Sequence, residues 1–150
     1  THQYGDTGFL LSNQFVEQLP IPQIPKEEQL PFVTLVDYIL FLKENESKKI
    51  DKYVDNSHIA QNFEKIIDAM VIELYFKEDV EKENLEIIKH VQKDFKAFNP
   101  TDDFDKKAKT ILDSYELLNE RNNIIRNNLL LLPIKLSYVY DELNKVWKEE

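Results

Sequence analysis

A mainly α fold, a bundle of about five helices behind a short extended or β N-terminal segment, is predicted by three observations. Apolar residues recur at intervals of three and four over most of the chain beyond residue 31, the spacing that gathers them on one face of a helix. Both glycines, Gly5 and Gly8, fall in the opening stretch YGDTGFLLSNQFVEQLPI, which alone carries short β-compatible apolar runs, at 9–11 and 15–19. A composition of 42% hydrophobic and 31% charged residues over 150 residues is that of one globular domain with an extensive core.

The elements follow in order. Pro20, Pro22 and Pro25 remove three backbone donors and fix φ near −65°, so LPIPQIP is expected to be a stiff extended spacer. Two organisational units are expected: residues 1–25, the end of a larger sheet plus the proline joint, and residues 26–150, a helical module. Pro31 suits the first turn of a helix running to about Lys43, with Phe32, Leu35, Val36, Ile39, Leu40 and Leu42 inward and Thr34, Asp37 and Lys43 on the wetter side. The polar stretch KENESKKIDKYVDN reads as a loop. Asn56 and Ser57 offer an N-cap to a second helix whose stripe is Ile59, Phe63, Ile66, Ile67, Met70, Val71 and Leu74.

A third helix is expected over about 78–95, through Val80, Leu85, Ile88, Val91 and Phe95, stopped by AFNPT. Thr101, Asp102 and Asp103 open a fourth, because an oxygen cap and early acids complement the N-terminal dipole; its stripe is Phe104, Ala108, Ile111, Leu112, Tyr115 and Leu118. The asparagines of RNNIIRNN are poor helix formers, so the fourth helix is expected to end or change character near 120–123. Leu129–Leu132 is apolar in every direction, so it is either fully buried or covered by a partner. Pro133 is expected to separate it from a last helix over about 134–148 bearing Leu136, Val139, Tyr140, Leu143 and Val146.

Composition also narrows the function. The chain has no cysteine, which excludes a disulfide framework and a thiolate zinc site and makes a cytoplasmic setting the expectation. No apolar run approaches the roughly 20 residues of a membrane span, no secretory leader pattern opens the chain, and no membrane partner is expected. The net charge is −9, and only Arg121 and Arg126 among 19 basic residues are arginine. Neutralising nucleic-acid phosphates calls for a basic surface, so this chain alone should bind duplex DNA poorly.

No complete catalytic, cofactor or metal site can be assembled from the residues. Asn99-Pro100 lacks the second proline and following aromatic that an adenine-methylating loop uses to hold a flipped base, and reads as a helix stop. Asp37 with Glu46 and Lys48 has the letters of a metal nuclease but lies on a helix and loop rich in Glu and Lys. Glu86, His90 and Asp94 stand one turn apart and read as a surface charge row rather than metal ligands. Tyr138, Tyr140 and Trp147 read as core aromatics before a binding patch. The best polar cluster is Arg121, Asn122, Asn123, Arg126, Asn127 and Asn128: it could touch DNA or a neighbouring domain, or tie a helix junction together by capping and buried hydrogen bonds.

The stretch from Phe9 through LPIPQIPKEEQLPFVTLVDYILFL resembles the C-terminal end of target-recognition regions in DNA restriction-modification enzymes, the TaqI-type recognition domain that follows an adenine-specific methyltransferase in single-chain type IIG and related enzymes. FEKIIDAMVIELYF, with Ile67-Asp68, Val71, Leu74 and Tyr75, is similar to the helix after that joint, and LLNERNNIIRNNLLLL to C-terminal tails of the same enzymes. The resemblance implies a non-catalytic C-terminal module that supports DNA target recognition and docks domains or subunits. Its expected partners are preceding methyltransferase and recognition domains, with DNA reached through the parent enzyme. S-adenosylmethionine and Mg would belong to that parent and not to this chain. A stand-alone helical interaction module, such as a homodimer, is the alternative.

Overall fold

The computed structural model describes residues 24–149, and side chains through residue 145. Seven helices occupy the described residues: α1 (Lys26–Glu44), α2 (Asn56–Tyr75), α3 (Lys77–Lys82), α4 (Ile88–Asp94), α5 (Phe104–Asn119), α6 (Ile124–Lys135) and α7 (Ser137–Glu149). The fold is mainly α, with no strand among the described residues. The expected strands at 9–11 and 15–19, and most of the proline joint, lie outside them.

Helices α1 and α2 form the centre. Glu28 reaches Lys77 just past α2, Tyr38 meets Phe63, and Asn45 meets Asn56, so the two helices run antiparallel along their length. Their seam is Leu35, Tyr38, Ile39 and Leu42 against Ile59, Phe63, Ile66 and Met70, all buried. At about 25 cal/mol per Å² of apolar surface removed from water, such side chains contribute about 2 kcal/mol each. Phe95 from the end of α4 packs against both Tyr38 and, edge to face, Phe63, and Phe98 and Phe104 close over Phe41. Leu132, Leu136, Val139 and Leu143 add α6 and α7 to the same core.

Four boundaries differ from the sequence expectations, each for a local reason. Helix α1 starts at Lys26, not Pro31: the Pro25 carbonyl accepts from Glu28 N–H at 2.9 Å, and Glu27 and Glu28 favour the positive end of the dipole. Pro31 therefore sits in the second turn, buried, where its missing N–H forfeits a bond to the Glu27 carbonyl. The single third helix is two, α3 and α4. Asn84 adopts φ 57°, and the bonds Leu85 N–H to Val80 O (3.0 Å) and Asn84 N–H to Glu81 O (3.1 Å) complete a Schellman stop.

The Asn-rich segment opens a helix of its own, beyond the five expected. Asn123 caps α6 by accepting from Arg126 N–H at 2.9 Å, and α6 runs through Pro133 to Lys135. The break before α7 falls at Leu136, whose ψ of 44° leaves the helical region, so the last helix begins at Ser137 rather than 134. The fourth helix matches expectation: Asp103 accepts from Lys106 N–H, and the helix ends at Asn119.

Candidate interaction surface

Several polar groups inside the bundle hold it together. Asn56, expected as part of a cap, is buried in the first turn of α2 and organises the preceding loop: its oxygen accepts from Ile50 N–H, and its Nδ2 donates to the Asn45 and Lys48 carbonyls at 2.8 and 3.0 Å. Glu73, near the end of α2, accepts from Ile87 N–H and from Ile88 N–H (3.0 Å), capping α4 from a different helix. Burial pushes its carboxyl up, with the two N–H groups pulling the other way and Glu86 and Glu28 adding to the rise. Glu64, 1% exposed, lies 3.0 Å from the Lys43 ammonium, and neither carboxylate oxygen receives a hydrogen bond.

An open groove of about 620 Å³ runs beside α5, lined by Lys96, Asn99, Asp102, Lys106, Thr110 and Ser114 among others. At the buried Ser114, its Oγ lies 3.2 Å from the Tyr38 hydroxyl, which donates to the Lys96 carbonyl. Burial pushes the Tyr38 phenol up to about 12, against its hydrogen bonds to Ser114 and Lys96, so it stays protonated at neutral pH and cannot serve as a base for the serine. The pair fastens α1 to α5.

The sequence-predicted clusters are placed as follows. Asn123 caps α6, Arg126 directs its guanidinium at the Asn119 and Glu120 carbonyls (3.4 and 3.5 Å) at the end of α5, and buried Asn128 donates to the Glu86 carbonyl at 2.9 Å. Arg121, Asn122 and Asn127 face outward. The cluster thus joins α5, α6 and the loop before α4, while Arg121, Asn122, Arg126 and Asn127 remain exposed. Lys48 of the nuclease-like letters lies over the Phe104 ring at 4.7 Å. Glu86 pairs with Lys89, and burial holds the His90 imidazole below its ordinary value. Among the described residues no three His, Asp or Glu side chains are grouped to hold a metal ion.

Some apolar side chains are also left outward. On α1 the exposed residues from 30 to 40 are Leu30, Val33, Val36 and Leu40, and the first and last are 52% and 50% exposed. Val36 and Leu40, expected inward, are turned out, and Thr34, expected outward, is buried. The reason is that the α2-facing side of α1 is already filled by Leu35, Tyr38, Ile39 and Leu42. Leu129–Leu132 is likewise divided: Leu132 is buried and Leu129 half-buried, whereas Leu130 and Leu131 are exposed, with Ile134 and Tyr138 beyond them. Tyr140 packs against the core, and the Trp147 side chain lies outside the described residues.

A row of exposed apolar side chains along one helix is ordinarily covered by a partner. The signal was present in LPFVTLVDYILFL, where apolar residues occupy more positions than one stripe can hold. Among the described residues, fold and surface together define a helical bundle with an exposed apolar row on α1. No family model matches the chain, and neither a curated protein nor a solved structure does. Among the described residues no helix is long and apolar enough to cross a membrane.

Proposed function

We propose that the chain is a non-catalytic helical docking module, serving as the C-terminal part of a DNA restriction-modification enzyme in which it supports target recognition by holding other domains or subunits in place. The observation that carries the docking role is the outward row Leu30, Val33, Val36 and Leu40 on α1. The parent class rests on the resemblance of the α1 region and its proline approach to recognition-domain ends. A net charge of −9 fits a module that stands off the phosphates and leaves DNA contact to a preceding domain.

Duplex binding by the purified chain at physiological salt tests the assignment. Affinity on the order of 10⁻⁴ M or weaker, independent of sequence, is expected, together with no methyl transfer when S-adenosylmethionine is supplied and no cleavage with Mg. Tight sequence-specific binding, or turnover, contradicts it. The second reading, a stand-alone dimerisation module, is favoured by the further outward group Leu130, Leu131, Ile134 and Tyr138 on α6 and α7.

A further inference from the structure

We infer that α1 pairs with α1 of a second copy, antiparallel, across a twofold axis beside residue 35. The inference rests on α1 being a docking face and on nothing in the DNA assignment. Three features of α1 point to a copy of itself as the occupant.

The first is spacing. Lys26, Leu30, Val33, Asp37, Leu40 and Glu44 are separated by alternate steps of four and three residues, the repeat of a coiled-coil seam. At 3.6 residues per turn they fall within an arc of about 80°, on the side of α1 opposite Leu35, Tyr38 and Leu42. The second is symmetry. The six positions are arranged evenly about residue 35, so an antiparallel copy sets Leu30 against Leu40, Val33 against Asp37 and Lys26 against Glu44 of the other chain. Val36, flanking the seam, falls beside its own counterpart. A twofold interface requires such self-complementarity of one patch.

The third is charge. Lys26 occupies the first residue of α1, at the positive end of the helix dipole, and Glu44 the last, at the negative end. Each has the sign that its own helix disfavours. Both are exposed, and neither has an ion-pair partner within the described residues. In the antiparallel pair each charge meets its opposite, twice per dimer. Asp37 is the one seam position that opposes association, since it faces Val33; polar residues at such positions fix register at a cost in affinity. The seam is about 27 Å long, so association in the micromolar range is expected rather than an obligate dimer.

Sedimentation of the whole chain between about 1 and 500 µM tests the pairing, with five variants beside the wild type. The wild type should pass from monomer to dimer, and Leu40→Glu should weaken association about a hundredfold, because two leucines per dimer are lost and two charges introduced. Lys26→Glu and Glu44→Lys should each weaken it about tenfold, and the double exchange Lys26→Glu/Glu44→Lys should restore the wild-type constant. Asp37→Leu should tighten it about tenfold. A chain monomeric throughout the range overturns the pairing while the duplex-binding assay still judges the docking module. Dimerisation indifferent to Leu40→Glu, or charge reversals that do not rescue one another, also overturns it.

Discussion

Helices α1 and α2 share one seam, yet they distribute polarity in opposite ways. α2 buries Asn56, Glu64, Asp68 and Glu73, and its outward side is largely polar or half-buried; α1 turns Leu30, Val33, Val36 and Leu40 to solvent. The comparison separates two kinds of residue. Asn56 and Glu73 of α2 fasten the loop and helix that pack beside them, and their removal should damage the fold. The outward residues of α1 contribute little to the fold, and their replacement should damage only association.

The contrast is broken most severely at Glu73. Glu73→Ala leaves the Ile87 and Ile88 N–H groups buried without an acceptor, an expected loss of about 3 kcal/mol, read as a fall of about 6–12 °C in Tm by calorimetry. An unchanged Tm would mean that α4 caps itself without α2. The same site makes a pH prediction. Because burial raises the folded-state pKa of Glu73 above the ordinary carboxylate value, its contribution is present below that ordinary value and is lost as pH rises through the folded one. Wild type should therefore gain on Glu73→Gln between about pH 7 and pH 5 in urea unfolding. If it loses ground instead, the two N–H bonds outweigh burial.

The Lys43–Glu64 pair sharpens the comparison at intermediate size. Lys43→Met leaves the Glu64 carboxylate buried without its cation and should cost about 2 kcal/mol, reduced from the fully buried case because Lys43 is itself partly in water. Glu64→Met, which removes the buried charge and keeps its volume, should be nearly neutral. Equal losses for both would show that the pair is a net stabiliser. Tyr38→Phe comes next, at about 1 kcal/mol, since Ser114 and the Lys96 carbonyl lose the hydroxyl while the ring packing is kept. Smallest of all, Val33→Ser on the outward face of α1 should shift monomer unfolding by no more than about 0.5 kcal/mol, and a larger shift would make that face part of the core.

Much of this was legible beforehand where one residue decides the outcome locally. Asp103 ahead of an amphipathic run marks the start of α5, and the stripe through Ile59, Phe63, Ile66 and Met70 marks α2 and its buried face. Boundaries that depend on competition between local preferences were not. Pro31 and Pro133 are each carried inside a helix, and the break in the predicted third helix turns on Asn84 accepting a left-handed conformation. The tie from Glu73 to α4 joins residues 14 and 15 positions apart through a bend that periodicity does not encode. On α1 the excess of apolar residues was visible, but which of them face α2 depends on the rotation of α1 in the bundle, a tertiary property.

The central claim is that α1 presents a self-complementary face, and disulfide capture reads it most directly in a chain that has no cysteine of its own. In Leu30→Cys/Leu40→Cys the two thiols of one copy are about 15 Å apart along α1, too far to join each other. Mild oxidation should yield a covalent dimer linked 30 to 40 in both directions, while Leu30→Cys alone should give little. A double variant that stays monomeric, or a single variant that cross-links as readily, would contradict the antiparallel pairing of α1.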